Sequence, residues 1–173
     1  MAHQYKKHKS LTGHLIDGRL VAVPESVSAT ETVWFALPIE SDETQVWEGL
    51  AAETTEAKDR FRLRAVPMFA YDVNYGDEIS VVTSAEGPIV ATGVTKNSGN
   101  YTFRVWIRED AGDAALRDVV TQFGALGCLI EGYGDKLIGL SCSPENAQQV
   151  ADALDVAEQQ GRFTYETGRQ RTS

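Results

Sequence analysis

The first two thirds of the chain alternate short apolar runs with turn residues. In residues 61–66 apolar side chains alternate with arginines, a period of two that predicts a strand with one face in solvent. Further runs rich in β-branched and aromatic residues follow, each bounded by residues that favour turns. The predicted strands cover residues 33–38, 46–53, 61–66, 77–82, 89–94 and 101–107. Five or six short strands at this spacing predict a small barrel or a strongly curled sheet.

After residue 108 the apolar spacing becomes that of helices. Apolar residues recur at helical intervals in residues 113–123, and Gly124 is positioned to end that helix. Ser143 and Pro144 predict the N-cap and first turn of a second helix, which Gly161 ends. Strands are predicted at residues 126–131, 136–141 and 163–166. The order from residue 101 is therefore β-α-β-β-α-β, which is that of a ferredoxin-like unit.

These patterns together predict an α+β fold in four parts. Residues 1–30 form an N-terminal arm or linker, and residues 31–100 form a strand-rich, barrel-like subdomain. Residues 101–168 form a ferredoxin-like βαββαβ subdomain, and residues 169–173 form a tail. Within the arm, the pair Asp17-Gly18 predicts a short hairpin that either joins a sheet or stays separate.

Composition and charge narrow the class of protein. The chain has 173 residues, of which 42% are apolar and 24% are charged, so a core can form without metals or disulfides. A net charge of −9 argues against nucleic acid as the main partner. Residues 31–59 carry eight acids and one base, and residues 109–173 carry eleven acids and five bases. These acids either steer a basic protein partner or form an ordinary solubilising surface.

The sequence predicts neither export nor membrane insertion. The first ten residues are polar and basic, without the apolar stretch of a secretory signal. No run approaches the roughly 18–20 apolar residues that a membrane-spanning helix needs. We therefore expect a cytoplasmic protein. Its two cysteines, Cys128 and Cys142, are expected to be buried free thiols that lie near each other if their strands pair.

The three histidines, His3, His8 and His14, all lie within the first 14 residues. We expect them to belong to a disordered tail, which leaves the folded body without a histidine base or a histidine ligand for zinc. A glycine-rich phosphate loop before a helix is also absent from the sequence. The sequence therefore predicts no catalytic residues, no metal site and no cofactor.

Residues 69–77 are the best candidate for a binding site. They link two predicted strands and are rich in aromatic and hydrogen-bonding side chains, which suit contact with a ligand or a partner. The same residues could instead set a turn and close the end of the barrel. Together with Glu131 from a later strand, the candidate binding residues are Phe69, Tyr71, Asp72, Asn74, Tyr75, Asp77 and Glu131.

Four stretches form a distinctive combination: VPMFAYDVNYGD at residues 66–77, SGNYTFRV at 98–105, LGCLIEG at 126–132 and FTYETG at 163–168. In this order they resemble an uncharacterised bacterial family that is catalogued as a domain of unknown function. The corresponding family elements read VPFFAYGLSYGD, SG…TYRV, LGC…EG and YEEG. Met68 and Asp72 stand where the family often has Phe and Gly. The resemblance covers residues 33–168 and implies a similar architecture without a known activity.

The sequence favours a non-catalytic protein-binding or regulatory protein that acts through its acidic surface and residues 69–77. By analogy, immunity-type proteins share this small, acidic character. The alternative is a small-molecule-binding protein or enzyme with a pocket between the two subdomains, lined by Tyr71, Tyr75, Asp77 and Glu131. The partner is therefore expected to be another protein or a small molecule.

Overall fold

Two six-stranded sheets organise the structure, a computed structural model that describes residues 2–39 and 44–169. The strands are β1 (His3–Lys7), β2 (Gly13–Ile16), β3 (Arg19–Ala22), β4 (Glu31–Ala36), β5 (Gln45–Thr54), β6 (Arg60–Leu63), β7 (Glu78–Thr83), β8 (Ile89–Lys96), β9 (Tyr101–Ile107), β10 (Leu129–Tyr133), β11 (Leu137–Cys142) and β12 (Phe163–Thr167). The helices are α1 (Pro24–Ser28), α2 (Asp113–Ala125) and α3 (Ala147–Gln159). The predicted α+β fold is confirmed. None of these helices has the length and apolar character needed to cross a membrane.

The first sheet closes into a five-stranded barrel. Its strands lie in the order β5-β4-β8-β7-β6, and β6 pairs again with β5 to complete the ring. Alternate residues of these strands point inward, and Val33, Leu50, Leu63 and Ile79 belong to the buried cluster that fills the barrel. The predicted small β-barrel is therefore confirmed. β1 lies outside the ring and pairs with β5 in parallel.

The second sheet has the strand order β12-β9-β11-β10-β2-β3, and every neighbouring pair is antiparallel. Val119 and Phe123 of α2 share one buried cluster with Val150 and Leu154 of α3 and with residues of the sheet. The predicted β-α-β-β-α-β order is present from β9 to β12. The hairpin β2–β3 widens this sheet beyond β10. The assignment of this half to the ferredoxin-like fold, which is more specific than the order of its elements, stays a prediction.

The segment before residue 31 contributes strands to both sheets. β1 joins the barrel sheet, whereas β2 and β3 join the second sheet through the hairpin predicted at Asp17-Gly18, where both residues have positive φ. The prediction that the histidines belong to a disordered tail is wrong, because His3 lies in β1, His14 lies in β2 and His8 has a buried side chain. β1 reads HQYKK and has no apolar pattern of its own, so its order comes from pairing with β5.

Two predicted helix boundaries are wrong. α2 continues through Gly124, whose missing side chain admits β2, since a Cβ there would lie 2.6 Å from the Cβ of Leu15. The chain leaves the helix at Gly127, which has a φ of +84°. α3 begins after Asn146 instead of Ser143, because the backbone N–H of Asn146 first closes a separate turn on the Ser143 carbonyl.

Cys128 and Cys142 are buried free thiols, as predicted. Leu129 pairs with Ser141 across β10 and β11, which makes the two cysteines the next pair in register. A hydrogen bond with Cys142, followed by burial, raises the pKa of the Cys128 thiol. Cys128 therefore remains protonated at neutral pH, which suits a packing role.

Candidate functional site

A stretch of irregular backbone, residues 67–71, lies between the barrel and the second sheet; we call it the junction segment. Glu48 of β5 holds it from the barrel side. Its carboxylate accepts hydrogen bonds from the backbone N–H groups of Met68 (2.6 Å), Phe69 (3.1 Å to Oε2) and Ala70 (2.6 Å). The Glu48 side chain is fully buried, so these bonds are shielded from water.

Arg104 of β9 holds the junction segment from the other side. Its guanidinium donates from Nε to the carbonyl of Pro67 at 3.2 Å and from Nη2 to the carbonyl of Ala70. Its Nη1 donates to Glu166 of β12 at 3.0 Å. Two buried charges from different sheets thereby satisfy backbone groups that no strand or helix pairs, which fixes the segment in one conformation.

His8 joins Glu48 to a second buried carboxylate, that of Glu131 in β10. The Nε2 atom of His8 lies 2.9 Å from Glu48, and its Nδ1 atom lies 2.5 Å from Glu131. Burial alone would lower the pKa of His8, but the hydrogen bonds and charges of Glu131 and Glu48 outweigh it and raise the pKa to about 9. His8 is therefore an imidazolium at neutral pH, and both ring N–H groups donate. We call His8, Glu48 and Glu131 the ion cluster.

The remaining lone pairs of the ion cluster are also used. The second oxygen of Glu131 accepts from the Thr12 hydroxyl at 2.6 Å and from the Val66 backbone N–H at 2.8 Å. The pKa of Glu48 is lowered, because its bonds to His8 and to the junction segment outweigh burial, which alone would raise it. The cluster is a fully hydrogen-bonded connection between the barrel, the second sheet and the chain just after β1.

Sequence reasoning missed His8, Glu48 and Arg104, although a signal was present. Period-two alternation in β5 places Glu48 on the same side as Leu50, which lies in the barrel interior. A carboxylate at an inward position requires hydrogen-bond donors or a cation nearby. Arg104 between Phe103 and Val105 on β9 gives the same signal from the other sheet.

The structure separates the predicted site residues into three groups. Glu131 belongs to the ion cluster, and Phe69 and Tyr71 lie in the junction segment. The others stabilise the backbone that follows. Asp77 accepts from the backbone N–H groups of Asn74 (2.8 Å) and Ser98 (2.7 Å), next to Gly76 with its φ of +88°.

The other three predicted residues also make architectural contacts. The amide oxygen of Asn74 accepts from the Thr102 hydroxyl at 2.9 Å, and Tyr75 is buried with Val66 in a small apolar cluster. Asp72 adopts a φ of 58°, and its backbone N–H donates to the Gly168 carbonyl at 2.7 Å. For residues 72–77 the contacts fit the turn-setting alternative.

A groove of about 380 Å³ opens beside the junction segment. Tyr71 is 38% exposed there, and its hydroxyl donates to Glu166 at 3.0 Å while its ring lies 4.5 Å from the Arg104 guanidinium carbon. The ammonium of Lys6 lies 4.1 Å from the centre of the Phe69 ring. The groove is lined by Gln4, Lys6, Leu37, Pro38, Val46, Met68, Phe69, Tyr71, Arg104, Trp106 and Glu166.

The pocket predicted between the two subdomains stays a prediction, and the residues expected to line it differ in exposure. Of the four residues expected to line it, only Tyr71 borders the groove. Tyr75, Asp77 and Glu131 are buried in contacts with the protein itself. Within residues 2–39 and 44–169, no group of three or more His, Cys, Asp or Glu side chains is arranged to hold a metal ion.

Comparison with known proteins identifies a fold and a family. The structure is similar to one described as "Novel crystal structure of a hypothetical protein from Neisseria gonorrhoeae", with a TM-score of 0.66 and 14% sequence identity. That similarity covers 83% of this chain and 96% of the other, and it shows a shared fold. A search of curated proteins finds no significant match. The sequence profile of a domain of unknown function, DUF4265, matches residues 48–165. As the sequence resemblance predicted, the chain belongs to a family of unknown function, DUF4265.

Proposed function

We propose that the protein is a non-catalytic protein-binding protein, and that the junction segment and the groove beside it contact the partner. The observation that carries this proposal is the way Glu48 and Arg104 hold the segment from both sides, through three N–H groups and two carbonyls. Aromatic side chains on a rigid backbone bind with a small loss of conformational entropy. Phe69 and Tyr71 have this arrangement, and tyrosine is enriched among the residues that dominate binding energies.

The chemistry of the ion cluster supports a non-catalytic role. A general base needs a free lone pair that can reach a substrate. The His8 side chain is 3% exposed, and both its ring nitrogens are hydrogen-bonded to carboxylates. Its position and protonation therefore suit structural support of the junction segment.

The acidic surface contributes to the proposal at longer range. β9 turns Phe103 and Val105 toward the helices and Arg104 toward the junction segment, so the helices lie on the far side of the sheet from the groove. Exposed acids of these helices include Asp113, Asp118, Asp152, Asp155 and Glu158. They favour the approach of a basic partner by steering, and we assign direct contact to the groove.

Affinity capture with two matched tyrosine variants tests the proposal. Tyr71→Ala removes the exposed ring of the junction segment, and Tyr5→Ala removes a ring that is 60% exposed on β1. We expect the wild type and Y5A to retain the same partner from native lysate, and Y71A to bind the purified partner at least about tenfold more weakly, as for a residue that dominates binding. Failure to capture any partner at any salt concentration, or equal capture by Y71A, would contradict the proposal.

A small-molecule-binding protein is the second candidate, and the concavity of the groove favours it. Its volume of about 380 Å³ lies within the range of ligand pockets. A thermal-shift screen against metabolites separates the candidates, since a ligand that binds the folded state raises the melting temperature. A shift that Tyr71→Ala abolishes, in the absence of a captured protein, would favour this candidate.

A further inference from the structure

The charges of the groove differ in sign from those of the whole protein. The chain has a net charge of −9, whereas the described residues that line the groove include two cations, Lys6 and Arg104, and one carboxylate, Glu166. An anionic group is therefore repelled by much of the surface but attracted to the groove.

The two cations differ in what they can offer a ligand. Arg104 already donates to Glu166 and to the carbonyls of Pro67 and Ala70, so each of its three nitrogens is engaged. Lys6 contacts the face of Phe69 and forms no ion pair with any described carboxylate. Its ammonium therefore has donors for an incoming anion while the ring beneath it fixes its position.

We infer that the groove binds an acidic side chain of the protein partner, presented next to an aromatic one. This inference rests on the proposed function and adds the chemistry of the partner's contacting residues. Lys6 binds the carboxylate, and Trp106 and Tyr71 contact the neighbouring aromatic ring, because they line the same groove and are both partly exposed.

Lys7 supplies a matched control for Lys6. Neighbouring residues of a strand point to opposite faces, and Tyr5, which has the same parity as Lys7, packs against Trp34 on the outer face of the barrel. Lys6→Gln and Lys7→Gln therefore make the same change in net charge on opposite faces of β1.

The test compares two capped dipeptides, N-acetyl-Phe-Glu-amide and N-acetyl-Phe-Gln-amide, with 4-phenylbutyrate as a non-peptide carboxylate. Binding is followed by NMR through the indole N–H signal of Trp106, assigned with Trp106→Phe. We expect the Glu peptide to bind at least fivefold more tightly than the Gln peptide in low salt, with the difference lost in K6Q and kept in K7Q.

Three results would overturn the inference. The first is equal affinity for the two peptides, including no binding of either, and the second is loss of the difference between the two affinities in K7Q as well as in K6Q. The third is binding of 4-phenylbutyrate when neither peptide binds. The outcome is independent of the capture experiment. If Y71A loses the captured partner while K6Q retains it and the peptides bind equally, the proposed function stands and this inference fails. If no partner is captured, the proposed function fails whatever the peptides do.

Discussion

At the residue scale, Glu48 takes the place of a strand partner for irregular backbone. Its carboxylate satisfies three consecutive N–H groups of the junction segment and also accepts from the His8 ring. A buried N–H without an acceptor costs about 1–3 kcal/mol, so a single side chain removes several penalties at once. Because one carboxylate serves both the ion cluster and the junction segment, a change at this residue affects both.

Replacement of Glu48 by Gln is therefore expected to be severe. The substitution removes the negative charge beside His8, and it turns an NH2 group toward the backbone N–H groups of the junction segment. The loss of one partner from a buried ion pair costs about 3–5 kcal/mol of unfolding free energy. Urea unfolding measures the free energy of unfolding. Glu53→Gln is the control on the same strand, because Glu53 pairs with Arg64 in a partly exposed position and its loss is expected to cost less than the loss at the fully buried Glu48. Similar losses in the two variants would contradict this account.

At the element scale, the sequence predicts those strands and helices that are specified by residues within or next to them in the chain. The hairpin β2–β3, the barrel strands and both long helices carry their own apolar period or turn residues, and all are present. β1 carries neither. It is ordered by pairing with β5, which lies about 40 residues later in the chain, and by the buried His8 that follows it.

The helix boundaries illustrate a related limit of sequence reasoning. Gly124 has the residue type of a helix end, but its lack of a side chain serves the close approach of Leu15 instead. Local propensity cannot distinguish a glycine that ends a helix from one that admits a neighbouring element.

For the candidate site, the sequence pattern indicated Phe69 and Tyr71 but not Lys6 or Arg104. Lys6 and Arg104 come close to the junction segment only when the two sheets pack together.

At the scale of the whole molecule, stability is expected to fall as the solution becomes alkaline. The groups that face His8 are Glu48 of β5 and Glu131 of β10, with the Tyr133 ring edge beside them. The pKa of His8 is about 9 in the folded state against 6.5 for an unperturbed histidine. A raised pKa means that His8 contributes its full stabilisation below pH 6.5 and loses it as the pH rises through about 9.

The expected loss between pH 6.5 and pH 9 is about 3 kcal/mol, because a shift of one pKa unit corresponds to about 1.4 kcal/mol. Urea unfolding at a series of pH values measures it. His8→Gln has no imidazolium to deprotonate, so its stability curve is expected to lack this decline even though the variant is less stable throughout. A wild-type curve that is flat over this range, or one that H8Q reproduces, would contradict the assignment of charge to His8.

The ion cluster also has a consequence for the order of events during synthesis. His8 and Glu131 are 123 positions apart, so the ribosome makes one long before the other. The barrel strands are all translated while His8 still lacks its second carboxylate, and the junction can close only after β10 has left the exit tunnel. A nascent chain stalled at residue 100 therefore contains every group that bonds to Glu48, but it lacks Glu131 and Arg104, so the groove is completed late in synthesis.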